Sequence, residues 1–175
     1  MPYKPEISLI DKKYLTENLN LLNGTSFKVD INKTITPNLE YFITSANLPG
    51  ISVAAAMHPT MNRNLKMPGD KIEYMPLELV FLVDENMKNW QEIYDWLLVE
   101  VTSKDSIHGD LKHRDLTLTI MNSHNNIGKQ IQFVDCFPTE LSGLEFNLQN
   151  TDVQYLTATV TIEYSYYKIV EWLWI

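Results

Sequence analysis

The sequence predicts a mainly β protein, a sandwich or barrel of antiparallel strands, with one flanking α-helix and a possible short N-terminal helix. Short segments in which apolar and polar residues alternate recur along the chain, with turn residues between them. One long segment, near residues 86–101, instead carries apolar residues at the three- and four-residue spacing of a helix. With 175 residues and 45% hydrophobic content, the chain is large enough for one domain with a buried core.

The predicted strands are the segments in which the alternation is most complete. Leu77–Val83 is the most apolar of them and is therefore expected in the middle of the sheet. Leu116–Ile120 and Ile131–Asp135 flank a turn and are expected to form a hairpin. The remaining predicted strands are Phe27–Ile31, Leu39–Thr44, Ile51–Met57, Leu144–Leu148 and Tyr155–Tyr166.

The predicted helix begins near Asp84–Asn86, where Asp and Asn can cap free backbone amides. Its expected core-facing residues are Met87, Trp90, Tyr94, Leu97, Leu98 and Val101. Around it, three regions are expected: an N-terminal arm or helix at 1–24, a β domain at 25–167 and an apolar C-terminal tail at 168–175. Trp172 and Trp174 in that tail pack either on the chain's own core or on a neighbouring subunit.

The longest predicted strand, Tyr155–Tyr166, contains no proline and only one charged residue. A long flat strand of this kind, when it lies at the edge of a sheet, pairs with other chains unless something blocks it. We therefore expect a subunit contact along its polar face, at Thr157, Thr159, Thr161 and Glu163.

A methionine-rich segment between Met57 and Asp70 is polar overall, has few charges and is punctuated by Pro68 and Gly69. Methionine is flexible and polarisable, which suits contact surfaces between proteins. Met57, Met61 and Met67 are expected to be exposed. The segment is therefore predicted to lie against another protein rather than to hold a substrate.

Charge and composition exclude several classes of function. A formal net charge of −8 argues against a sequence-independent nucleic-acid binder, whose affinity would come from lysine and arginine. No segment has the length and apolarity of a membrane-spanning helix, and the N-terminus lacks an apolar signal core, so a cytoplasmic protein is expected. The single cysteine, Cys136, is expected to be a small buried residue.

Four histidines, His58, His108, His113 and His124, are candidate metal ligands or general bases. Only the segment from His108 to Asp115 concentrates such groups, and its Lys112 and Arg114 would repel a divalent cation. A solvated loop is the preferred interpretation, and a hydrolase that uses this loop remains an alternative. No nucleophile elbow, phosphate-binding loop or dinucleotide motif is present, so no catalytic residue, metal or cofactor is predicted.

Several short patterns together resemble the tail tube proteins of contractile-tailed bacteriophages, from about Phe27 to Tyr167. They are Met61-Asn62-Arg63, Pro68-Gly69-Asp70, the strand at Leu77–Val83 followed by Asp84-Glu85 and a helix with Trp90, the turn at Ala46–Gly50, Phe137-Pro138-Thr139 with Leu144–Leu148, and the closing strand Thr157–Tyr164.

This resemblance implies a structural subunit of a virion tail, assembled in the host cytoplasm. Six copies would form a ring by continuing their sheets around a pore. Stacked rings would conduct DNA inside a sheath and start on a baseplate, and type VI secretion tubes are related in architecture. The resemblance assigns Met61, Asn62, Arg63, Gly69 and Asp70 to the contact between rings and assigns no catalytic residue. The alternatives are a tube initiator near the baseplate, a secretion-system tube subunit, or a small ligand-binding β-barrel.

Overall fold

The computed structural model of the protein describes residues 21–31, 38–102, 113–148 and 154–171. Antiparallel strands dominate these residues, as predicted, and one α-helix accompanies them. The elements are β1 (Phe27–Ile31), a 3-10 helix (Glu40–Phe42), β2 (Ile43–Asn47), β3 (Ile51–Pro59), β4 (Asn64–Tyr74), β5 (Leu77–Leu82), α1 (Lys88–Thr102), β6 (Arg114–Met121), β7 (Ile127–Leu141), β8 (Thr157–Glu163) and β9 (Tyr166–Glu171).

Seven strands form one antiparallel sheet in the order β1-β6-β7-β8-β5-β2, with β9 attached to β7. The long strand β7 holds this sheet together, because it pairs with β9 through residues 129–134 and with β8 through residues 137–141. Between these two stretches lies Asp135, whose φ of 58° is in the left-handed region. An aspartate tolerates this conformation better than most residues do, which lets the strand bend there.

The core forms where the alternating strands turn their apolar residues inward. Phe81 and Phe133 are fully buried, and Leu77, Leu79, Val160 and Ile162 pack in the same cluster. The strand predicted at Tyr155–Tyr166 turns its apolar residues inward, since Ala158, Val160, Ile162 and Tyr164 are all buried. The predicted central strand is likewise confirmed, because β5 lies between β8 and β2.

Several predicted strands differ in their bounds, such as Ile131–Asp135, which is part of the longer β7, and three others differ in kind or continuity. The segment predicted at Leu39–Thr44 begins with the 3-10 helix, and its strand starts only at Ile43. No strand forms over Leu144–Leu148, where Phe146 and Leu148 are exposed because no neighbouring strand pairs with them. The strand predicted through Tyr166 is interrupted after Glu163, and the chain then continues in the same direction along β7 as β9.

Only parts of the predicted arm and tail lie within the described residues. Residues 1–20 of the predicted arm lie outside the described residues, and residues 21–24 are not helical. The predicted tail at 168–175 starts inside β9, so its first four residues belong to the sheet. Trp172 and Trp174 lie outside the described residues.

The predicted helix is confirmed as α1, but its orientation differs from the prediction. The residues that face the core are Asn89, Ile93, Trp96 and Glu100. Of the predicted core-facing residues, Trp90 packs against the core, whereas Tyr94, Leu98 and Val101 are 44%, 46% and 70% exposed. The helix therefore carries two apolar stripes, and only one of them is covered by its own chain within the described residues.

Candidate assembly interface

The strands β3 and β4 form a separate two-stranded hairpin that projects from the seven-stranded sheet. Its extensive packing is between its own two strands. Met61 at its tip is fully exposed, and Met57 and Met67 are 65% and 50% exposed. An isolated two-stranded hairpin is marginally stable in water, so a hairpin that is exposed on both faces is typical of a surface that another chain covers.

Pairing across the hairpin places its apolar residues on both faces. Ala56 lies opposite Met67, and His58 lies opposite Leu65, so these four side chains share one face of the distal half. Met57 lies opposite Lys66 on the other face. Neither face of the distal half is therefore purely polar.

Gly69 lies where the two strands are out of regular register, between the Val53–Ile72 and Ala55–Pro68 pairs. A Cβ atom on Gly69 would stand 2.3 Å from the carbonyl oxygen of Ala54. Only glycine permits so close an approach of the two backbones. The resemblance assigned this glycine to a contact, and the structure gives it a role inside the hairpin itself.

At the tip, the chain reverses between Thr60 and Arg63. The backbone amide of Thr60 donates to the carbonyl oxygen of Arg63 at 3.1 Å, and the Thr60 hydroxyl donates to the same oxygen. Met61 and Asn62 form the apex, and both are exposed. The tip thus presents a thioether, an amide and a guanidinium side by side.

An aromatic cluster fixes the base of the hairpin to the sheet. The ring of Tyr74 makes edge contacts with Tyr164 and Tyr167, at centroid distances of 5.9 Å and 5.4 Å. The Tyr164 hydroxyl donates to the carbonyl oxygen of Met75 at 2.7 Å, and the Met75 amide donates to Gly50 at 3.1 Å. Burial raises the pKa of Tyr164 from 10.0 to about 12, so its hydroxyl remains a donor even in moderately alkaline solution.

The structure brings together every predicted residue of the methionine-rich segment on this one hairpin. Met57 lies on β3, Met61, Asn62 and Arg63 lie in the turn, and Met67, Gly69 and Asp70 lie on β4. No strand was predicted between Met57 and Leu77, whereas residues 64–74 form β4. The predicted contact residues did not include Ile51, Val53 and Ile72, which are exposed near the base of the hairpin. Their alternation with other residues is visible in the sequence.

The expected free edge at Thr157, Thr159, Thr161 and Glu163 is wrong for the isolated chain. These residues belong to β8, which pairs with β5 on one margin and with β7 on the other. Ser142 extends the second pairing, since its amide donates to the carbonyl oxygen of Thr159 at 2.9 Å. Among the described strands of the seven-stranded sheet, β1, β2 and β9 instead have one unpaired margin each.

A buried charged cluster lies beneath α1. The guanidinium of Arg114 lies over the ring of Trp96 at 3.9 Å, and the Trp96 indole donates to Glu100 at 3.2 Å. Burial lowers the pKa of Arg114 to about 10, while the carboxylates of Glu100 and Glu92 oppose that shift. Among the described residues, the Nε and Nη1 atoms of Arg114 have no hydrogen-bond partner.

The segment considered for catalysis lies only partly in the described residues, since His108 and Asp110 fall outside them. His113 stacks on Phe137 at 5.3 Å, and Asp115 accepts a hydrogen bond from the Asp135 amide at 3.3 Å. These contacts tie both side chains to β7. In the described part of the chain, no three histidine, cysteine or acidic residues form a group that could hold a metal.

Cys136 is fully buried, and burial raises its pKa to about 12. A thiol in this state is neither nucleophilic nor accessible at neutral pH. None of the helical segments in the described ranges combines the length and apolarity that a membrane crossing requires.

The exposed hairpin makes this molecule a candidate assembly subunit, and comparison with known proteins identifies its family. The model of the family "Phage tail tube protein" matches residues 14–170. The chain belongs to this family, and is therefore a phage tail component. The family is one of structural proteins, which are not enzymes.

Among its relatives, the chain is 29% identical over 162 residues to the tail tube terminator protein of Enterobacteria phage T4, covering 89% of this chain and 92% of that protein. Solved structures that share its fold include two terminators of contractile injection systems. The tube terminating cap of the anti-feeding prophage matches with a TM-score of 0.64 at 14% identity, over 91% of this chain and 97% of that one. The PVC sheath/tube terminator of an extracellular contractile injection system matches with a TM-score of 0.63 at 16% identity, over 86% and 97%.

Proposed function

We propose that this protein is a ring-forming subunit of the tail tube of a contractile-tailed particle, assembled from six copies. The observation that carries this proposal is the hairpin β3–β4, whose apolar residues are exposed on both faces. Such a hairpin needs a partner, and identical copies of the chain supply one in a symmetric assembly. The ring would form in the host cytoplasm and contact sheath and baseplate proteins.

Two positions in the tail suit such a ring. A repeating subunit would stack into long tubes, whereas a terminal subunit would form one ring at the end of the tube. Similarity to the tail tube terminator of phage T4 over 92% of its length favours the terminal position.

DNA would pass through the ring without binding specifically. The net charge of −8 supports a lumen of negative potential, which repels phosphate and keeps the nucleic acid from adhering. A strongly basic bore in the assembled ring would contradict this part of the proposal.

The test is whether the purified full-length chain assembles. Light scattering and negative-stain electron microscopy monitor the assembly. We expect rings of six copies at high protein concentration, and isolated rings rather than long tubes if the terminal position is right. Met61→Asp is expected to abolish assembly and leave the fold intact, because it places a charge at the fully exposed hairpin tip. Ser123→Asp, in the exposed turn between β6 and β7, is the matched control and should assemble normally.

A chain that stays monomeric at every concentration and with added tail tube would refute the proposal. Normal assembly of Met61→Asp would refute the role of the hairpin.

A further inference from the structure

We infer that the groove on the outer face of α1 receives the tip of the hairpin β3–β4 from a second copy of this chain. This inference rests on the proposed ring-forming function and names the surface that completes the contact. It pairs two surfaces that the described part of the chain leaves exposed.

The groove has a volume of about 430 Å³ and is lined by Asn86, Met87, Trp90, Gln91, Tyr94 and Asp95. Its floor is aromatic, because the rings of Trp90 and Tyr94 stack at 5.6 Å with an angle of 11° between their planes. The Trp90 indole donates to the carbonyl oxygen of Ser142 at 3.3 Å, which holds the ring in place. The floor is thus formed before any partner arrives.

The side chains at the hairpin tip are of types that bind well to aromatic rings. Met61 is fully exposed at the apex, and thioether sulfur makes favourable contacts with aromatic rings. Arg63, two residues further on, is exposed and can lie over an aromatic face as a cation.

Charge complementarity favours the same pairing. Residues 55–68 of the hairpin include Arg63 and Lys66 and no acidic residue. Residues 84–95, which contain the whole groove, include four acidic residues and only one lysine. Opposite charges on two contact surfaces steer their encounter and fix their orientation.

The contact joins two different patches, so each copy donates a hairpin and accepts another. A contact of this head-to-tail type produces a closed ring when the rotation between copies closes, and a filament when it does not. It therefore fits a ring-forming subunit better than a two-fold dimer does.

Site-specific cross-linking tests the inference in the full-length chain. The only native thiol, Cys136, is fully buried and gives no background. Chains with Met61→Cys and chains with Gln91→Cys are mixed under assembly conditions and treated with a short bismaleimide. We expect covalent dimers of one chain of each kind, and none when Ser123→Cys replaces Met61→Cys as the control.

Charge exchange provides a second, independent readout. Arg63→Asp and Asp95→Arg should each weaken assembly at least tenfold, and the double variant should recover most of that loss, since the opposite charges again face each other.

The outcomes separate this inference from the proposed function. Rings that form without the Met61–Gln91 product, or with equal cross-linking of the Ser123 control, overturn the inference and leave the ring proposal standing. If the cross-linked dimer forms but closed rings do not, the contact between hairpin and groove is supported and the ring-forming function is contradicted. If neither assembly nor the cross-linked dimer is observed, both the ring proposal and this inference are overturned.

Discussion

Tyr164 and Met75 are 89 positions apart in the chain, yet the hydroxyl of Tyr164 donates to the carbonyl oxygen of Met75 at 2.7 Å. This hydrogen bond joins the end of β8 to the residue that follows the hairpin. It is part of the aromatic cluster that holds the hairpin's base, and it is one of the few links between the hairpin and the seven-stranded sheet.

Replacing Tyr164 with Phe removes this link and keeps the ring. We expect a loss of about 1–2 kcal/mol in the free energy of unfolding, because the carbonyl oxygen of Met75 loses its partner. Urea unfolding measures the loss, and amide exchange should show faster exchange at the base of the hairpin. Unchanged stability and exchange would mean that the ring contacts alone fix the base.

Gly69→Ala should disrupt the hairpin without unfolding the sheet. The added Cβ atom would meet the Ala54 carbonyl oxygen at 2.3 Å, so the two strands must move apart, at a cost of about 1–3 kcal/mol for opening the hairpin. Amide exchange across residues 64–74 and loss of assembly are the measurements. Gly143→Ala is the control, because nothing lies within 4 Å of its added Cβ atom. Equal protection in both variants would contradict the crowding argument.

Arg114→Met should change the free energy of unfolding by no more than about 1 kcal/mol. The variant loses the contact between the guanidinium and Trp96, yet it also removes a buried charge that lacks hydrogen-bond partners at two nitrogens among the described residues. Chemical denaturation of the variant and the native chain measures the difference in their free energies of unfolding. A loss above about 3 kcal/mol would show that the electrostatic attraction of the guanidinium to Glu100 and Glu92 dominates.

Alkaline pH should destabilise the protein through Cys136. Burial raises its pKa from 9.0 to about 12, so the folded state keeps a proton that the unfolded chain releases from about pH 9 upward. The free energy of unfolding is therefore unaffected by this group below pH 9 and falls as pH rises from 9 to 12. Tyr164 contributes with the same sign from about pH 10.

Cys136→Ala should make the fall of the unfolding free energy with pH less steep between about pH 9 and about pH 12, whatever its effect on absolute stability. Tyr164→Phe keeps the thiol and should retain the slope that begins near pH 9. Identical slopes for Cys136→Ala and the native chain would contradict the role of the thiol.

Local pattern was sufficient to predict elements whose burial follows one clear period. The alternation at Phe27–Ile31 and Leu77–Leu82 identified both strands, and the buried positions of β8 were predicted correctly. These segments have one apolar and one polar face, so the period alone determines which side turns inward.

The helix shows where pattern alone fails. Two apolar stripes run along α1, and the sequence cannot tell which one meets the sheet. Ile93 and Trp96 do so, whereas Tyr94 and Leu98 face outward. An outer apolar stripe is itself consistent with a surface that functions in assembly, which is why the hydrophobic period misled the prediction.

Pairing partners were equally hidden from the sequence. Thr157 and Glu163 lie in an interior strand because β5 and β7, far away in the chain, take both margins of β8. Pro68 and Gly69 were interpreted as chain breaks, although a hairpin with an irregular register accommodates both residues. Contacts between segments distant in sequence decided each case.

The hairpin is clamped at Tyr74 and Met75, while its packing elsewhere is mostly between its own two strands. Such an arm can tilt about its clamp without disturbing either the sheet or the helix. In an assembly held together by such hairpins, bending would change the angle between hairpin and sheet, and the sheet of each subunit would keep its shape.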